Sequence, residues 1–246
     1  MPKQLFFDIL AVTYIFMKDT LTQELISAGC HYGYSKSRRH PSVKSFIDTT
    51  SGGTDFLNAE NTGVQLNKAL AFTKEIISGG KRVLFVGEKP EIRQVLKEIA
   101  LSAGEPYMAD RFVAGTITNF GEIRKRAEKL NDMLSKKEKG EYAMYTKKEQ
   151  LMIQRTIDRM DRNFGGITGM DKLPGALIVV DPRHEEIAVL EANFAHIPVI
   201  AIASTDCDIS NIAHPILAND ATISSVRYIL GQLRDAVLSA KSEKKV

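Results

Sequence analysis

The sequence predicts an α/β fold: a parallel sheet with helices on both faces, interrupted by an inserted antiparallel helical hairpin. Short apolar runs at 82–87, 176–181 and 197–203 have the character of strands buried on both faces. Stretches of about ten to fifteen residues at helical spacing alternate with them, the mark of βαβ units. Between the two halves, Ile117, Phe120, Ile123, Ala127, Leu130 and Leu134 fall three or four residues apart, and Ile153, Ile157, Met160 and Phe164 do the same after a polar middle.

In chain order, a first helix fits Leu21 to Ala28, opened by a capping-box pattern at Thr20-x-x-Gln23 and closed by Gly29. A basic loop follows, broken by Gly33 and Pro41. Helical periodicity returns over Val64, Leu66, Ala69, Leu70, Phe72, Thr73 and Ile76 and stops at Gly79-Gly80. The strand Arg82–Gly87 leads into a helix from Pro90 to Ala103, with Gly104 as its stop. After the hairpin come a strand at Ala176–Asp181, a helix at Glu185–Ala195, a strand at Ile197–Ala203 and a long helix from about Asp220 to Ala240. The hairpin's first helix starts near Asn119, its second carries a capping box at Thr146-x-x-Glu149, and its tip lies near 135–145. The domain reading is an apolar extension at 1–20, an α/β body at 21–117 and 165–246, and the hairpin at 118–164. A doubly wound Rossmann-like or flavodoxin-like body results.

The chain has 246 residues, long enough to bury a core without disulfides, and its 43% hydrophobic and 26% charged residues exclude a disordered tail, a collagen or a multispan membrane protein. Two cysteines, Cys30 and Cys207, suit a reduced cytosol. The apolar run Leu5–Met17 contains Asp8, is too short to span a bilayer, and precedes Lys18-Asp19-Thr20 rather than a small-residue cleavage site. It reads as a lead-in that packs on the body or on a partner.

Lys and Arg number 33 against 30 acids, a net charge of +3. His31 to Lys44 holds Lys36, Arg38, Arg39, Lys44, His31 and His40 with no acid, so nothing nearby in sequence neutralises it. From Gly121 to Asn163 twelve cations, Arg124 and Arg126 among them, face eight acids. These two stretches hold +8 and the remainder −5, a polarisation that points to a polyanionic partner.

In doubly wound sheets ligands sit at the carboxyl ends of the strands. There the sequence places Asp181, Asp206 and Asp208, with His214 soon after, a set able in principle to hold a cation. Caps and turns are the stronger reading, because Asp and Ser after a strand commonly serve them. Gly87-Glu88-Lys89-Pro90 lacks the glycines of a phosphate-cradling turn, and no P-loop or Gly-x-Ser-x-Gly elbow occurs. Cys207, ending a buried run, reads as an inert packed thiol. No catalytic constellation, cofactor or metal site is expected.

Five stretches then stand together. They are Ala28-Gly29-Cys30-His31-Tyr32-Gly33 with Lys36-Ser37-Arg38 and His40-Pro41; Leu84-Phe85-Val86-Gly87-x-Lys89-Pro90; Arg111-Phe112-x-x-Gly115-Thr116-Ile117-Thr118-Asn119-Phe120; Leu173-Pro174-x-Ala176-Leu177; and Ile197-Pro198-Val199-Ile200-Ala201-Ile202 before Cys207-Asp208. In this order and spacing the chain resembles small-subunit ribosomal protein two of the bacterial type, over nearly everything after Leu21. The resemblance implies a non-enzymatic constituent of the small ribosomal subunit in the cytoplasm, lying between head and body, that contacts ribosomal RNA and helps dock the large messenger-binding protein. It implies RNA contacts by His31, Lys36, Arg38, Arg39, His40, Lys44, Arg111, Asn119, Arg124 and Arg126, Asn119 being equally well a helix cap. This chain departs from the family pattern at Tyr34, where a second His is usual, at Arg39, where a Trp is usual, at Ala218-Asn219-Asp220-Ala221 and at Ser224. The competing readings are a sugar-phosphate or nucleotide-binding enzyme and a free-standing RNA-binding adaptor.

Overall fold

A computed structural model describes residues 20–244. The apolar extension, apart from Thr20, therefore lies outside the described residues. Helix α1 occupies 20–27 among them.

Five parallel strands form the main sheet: β4 (Val83–Val86), β5 (Tyr107–Met108), β6 (Ala176–Val180), β7 (Val199–Ala203) and β8 (His214–Leu217), in the order β5-β4-β6-β7-β8. That is a flavodoxin-like winding, with its reversal point between β4 and β6. Alternation along each strand divides the core in two. Phe85, Ile178, Val180, Ile200, Ile202 and Ile216 face α2 (Ala59–Ser78), α3 (Pro90–Ala103) and α7 (Ile223–Glu243). Leu84, Val86, Leu177, Val179, Val199 and Ala201 face α6 (Glu186–Phe194) and the inner parts of α4 (Phe120–Glu138) and α5 (Lys147–Phe164).

Helices α4 and α5 pack on one another across the single turn Glu141–Met144. Their inner halves are not a free projection with its own small core. Ile123, Ala127 and Leu130 of α4 and Ile157 and Phe164 of α5 share the cluster of the sheet's second face, so they serve as its cover layer. The capping box at Thr146 and Glu149 is formed, and the Gln150 side chain donates to the Tyr145 carbonyl at 2.9 Å, fixing the distal turn.

The basic loop is more ordered than its glycine and proline suggest. It holds β1 (Tyr32–Ser35), which pairs with β3 (Thr54–Leu57), itself paired with β2 (Ile47–Ser51), in a small antiparallel sheet. Gly33 is required by close approach: a Cβ there would lie 2.5 Å from Thr205 Cγ2 and 3.0 Å from the Asp55 carbonyl oxygen. The adjoining Tyr34 N–H donates to Thr205 Oγ1 at 2.9 Å, clamping β1 across the end of β7.

Candidate nucleic-acid interface

At the carboxyl ends of β4, β6, β7 and β8 the chain turns charged. Lys89, following β4, places Nζ 2.6 Å from Asp181 Oδ2 and 2.9 Å from Asp220 Oδ2, between the ends of β6 and β8. Asp220 is wholly buried. Burial raises its carboxyl pKa to about 6 despite the opposing pull of Lys89. Burial alone would lower Lys89, but the field of Asp220 and the hydrogen bonds to both aspartates outweigh it, so its net direction is up. Beside them the Glu185 carboxyl, raised to about 8 chiefly by burial, accepts the Glu88 backbone N–H at 2.6 Å, and the Glu88 side chain accepts that of Phe112. The crevice where a doubly wound sheet would receive a ligand is thus closed by the protein's own ion pairs and hydrogen bonds.

The cation set conceivable from sequence is not assembled. His214 opens β8 opposite Ile200, at the other end of the sheet from Asp206, and stacks on Phe72 with ring centroids 4.1 Å apart. Asp181 Oδ1 accepts the N–H groups of Arg183 and His184, and Asp208 Oδ1 accepts the backbone N–H and the hydroxyl of Ser210, so both serve turns. Asp181, Cys207 and Asp220 do come together, but Lys89 already occupies the two carboxylates. The Cys207 thiol is fully buried, and burial foremost pushes its pKa up, the opposite of what a thiolate ligand or nucleophile needs.

One expectation about the loop is corrected. Acids remote in sequence do pair with two of its four Lys and Arg residues. Arg39 donates from Nε and Nη2 to the two oxygens of buried Asp55 at 2.7 and 2.5 Å, and also from Nη2 to Thr50. Its planar fork satisfies both oxygens of Asp55. Arg38 reaches Asp206 at 2.6 Å, an acid it shares with Arg183 at 2.7 Å, and its guanidinium lies 4.1 Å from the Tyr34 ring centre, which gives that departure a local role. His40 uses Nδ1 on Ser42 to cap the turn Pro41–Phe46. His31 clusters with the rings of Tyr32, tilted at 4.2 Å, and Phe56, stacked at 6.1 Å, and burial lowers its pKa.

Other cations on the expected interface lack an acidic partner among the described residues. Lys36, Lys44, Arg111 and Arg126 are exposed and make no ion pair there, and neither do Lys137, Lys139, Lys147 and Lys148 around the distal turn of α4 and α5. Arg124 is paired with Glu128. Asn119 stands at the cap position of α4, but only its backbone carbonyl accepts there; the side chain makes no capping bond.

Sequence reasoning missed the residue that holds the root of α4. Buried Glu191, on the inner face of α6, accepts the backbone N–H groups of Gly115 at 2.5 Å, Ile117 at 3.0 Å and Thr118 at 3.2 Å. Its only signal was a glutamate in register with Ala188 and Ala192. Glu191→Ala is expected to cost about 2–3 kcal/mol by leaving these donors unsatisfied, with Glu191→Gln recovering part. Urea denaturation with amide exchange at Ile117 and Thr118 checks this; equal protection in the alanine variant would refute it.

A flavodoxin-like sheet whose strand-end crevice is filled by its own ion pairs, with unpaired cations on exposed turns among the described residues, has the build of a binding scaffold. Residues 25–240 match the family described as ribosomal protein S2. The chain belongs to that family, a family of structural ribosomal proteins rather than of enzymes. It is 37% identical over 216 residues to the small ribosomal subunit protein uS2 of Chloroflexus aggregans, covering 88% of this chain and 91% of that one. The uS2 of Roseiflexus sp. is likewise 37% identical, over 89% of this chain and 84% of its own. No helix among the described residues is long and apolar enough to cross a membrane.

Proposed function

We propose that the chain is a structural constituent of the cytoplasmic small ribosomal subunit, binding ribosomal RNA at the junction of head and body and helping to seat the large messenger-binding protein. The carrying observation is the division of the positive charge. Arg38, Arg39 and Lys89 are tied to acids and build the fold, whereas Lys36, Lys44, Arg111, Arg126 and the four lysines of the distal turn are unpaired and exposed. Unpaired surface cations are what phosphate neutralisation with counterion release requires. Their spread suits two separated RNA segments, one near the small antiparallel sheet and one at the far end of the α4–α5 pair, which on this reading is a hairpin inserted into the body. His31 and Asn119, exposed beside these cations or half so, supply hydrogen-bonding and stacking groups. No cofactor is needed.

Sucrose-gradient fractionation of lysate at magnesium levels that keep subunits intact tests the reading. The chain is expected in the small-subunit peak. Recovery only at the top of the gradient would favour a free-standing adaptor and refute the ribosomal role.

A further inference from the structure

Helix α6 carries an apolar surface that nothing among the described residues covers. Its inner face is occupied by Ala188, Val189 and Ala192 against the sheet and by Glu191 at the root of α4. On the outer face Ile187 is 55% exposed, Leu190 58% and Phe194 79%, at spacings of three and four residues that align them in one stripe. Isolated exposed apolar residues are ordinary, but three large ones in a row on a nine-residue helix form a patch, and patches mark contact surfaces. A groove of about 310 Å³ adjoins the stripe, with Pro182, Glu186, Val189, Leu190, Asp208 and Ile212 in its walls.

The electrostatics select the occupant. No Lys or Arg lies between Arg183 and Arg227, a stretch that includes Glu185, Glu186, Glu191, Asp206, Asp208 and Asp220. Arg183 itself is bound to Asp206. Glu186 and Asp208 are exposed at the groove, and the hydrogen bonds from Ser210 keep the Asp208 carboxyl below its ordinary range and so ionised. Arg183 and His40 also line the groove, and Arg183 and Arg38 together offset Asp206, so the uncompensated charge of the rim is that of Glu186 and Asp208, while the stripe itself offers an RNA backbone no cation. A protein segment that is apolar on one face and rich in Lys or Arg at its edge satisfies both the stripe and the rim.

We propose that the outer face of α6 and its groove dock a cationic, apolar-anchored segment of a neighbouring small-subunit protein, with Phe194 and Leu190 as the central anchors. The proposal rests on the ribosomal reading above. It assigns this face to protein, while the basic turns are left to RNA.

The test places the photoreactive analogue benzoylphenylalanine at position 194, purifies native small subunits from cells, irradiates them and identifies cross-linked peptides by mass spectrometry. The expected product is a peptide of one other ribosomal protein, carrying apolar residues and Lys or Arg within a few positions. In subunits holding a chain with both position 194 labelled and Leu190→Glu, the yield should fall about tenfold or more at equal incorporation, as loss of an anchor implies. Leu190→Glu should leave the melting temperature and RNA affinity of the free chain unchanged. A cross-link to RNA, to a second copy or to an acidic segment, or none at all in subunits that contain the chain, overturns the docking proposal alone. Absence of the chain from small subunits overturns the ribosomal reading and this proposal with it.

Discussion

Lys89→Met is expected to destabilise the protein by about 3–5 kcal/mol, a fall in melting temperature of roughly 10 °C for a chain of this size. The reason is electrostatic rather than steric, since Met retains most of the aliphatic stem. Removing the ammonium leaves Asp181 and the fully buried Asp220 facing one another without a counter-charge. The pH dependence separates this cause from a packing defect. Asp220 has a folded pKa of about 6, raised above the ordinary carboxylate value, so its favourable contribution is complete below its unfolded pKa and is lost as pH rises through 6. Without Lys89 its folded pKa must rise further, and the loss extends to higher pH. The deficit of the variant should therefore be largest near pH 8 and shrink toward pH 5, and Asp220→Asn in the same chain should recover part of it. Urea denaturation across that range measures both effects. A deficit that does not vary with pH would show that the buried charge is not its source.

The same lysine shows how far the sequence could be read. The buried strands β4, β6 and β7 were legible because parallel strands covered on both faces are continuous apolar runs, and the intervening helices because their caps and spacing agree. Strands β5 and β8 were not. One is two residues long, and the other opens with His214-Pro215 at a sheet edge, where an apolar run is not demanded. The small sheet β1-β3-β2 was hidden because β2 exposes four of its five residues, so it carries no buried-strand pattern. At the candidate site, charge was legible and pairing was not. The loop itself holds no acid, and its arginines' partners Asp55 and Asp206 lie 16 and 168 residues away from them. Asp181 and Asp206 were noticed as strand-end residues, but what they do depends on Lys89, Arg38 and Arg183, which topology alone brings to them. Contacts of such long separation leave no periodicity behind.

On the proposed ribosomal reading, that pairing gives the distal turn of α4 and α5 more weight in RNA binding than the loop arginines, and a salt titration should display the difference. Alanine at Lys137, Lys139, Lys147 and Lys148 is expected to lower the slope of log affinity against log salt by about 3, taking 0.7–0.9 per phosphate contact, and to weaken binding to small-subunit RNA at 0.15 M salt by roughly a hundredfold or more. The four side chains are exposed and make no ion pair among the described residues, so the folded state should not suffer. Arg39→Ala should do the opposite. Its guanidinium holds both oxygens of a carboxylate with no exposed surface, and its loss leaves Asp55 with Thr50 as its one remaining side-chain partner. The arginine variant is thus expected to lose stability, by about 2–4 kcal/mol, while its salt slope under folding conditions stays within one contact of the wild type. Filter binding with deproteinised small-subunit RNA from 0.05 to 0.4 M salt, beside urea denaturation of each variant, separates the two. A tip variant with an unchanged slope would place the RNA elsewhere on the molecule. A stable Arg39 variant with a sharply reduced slope would mean that Asp55 yields its partner to phosphate, and that the loop is the principal RNA contact after all.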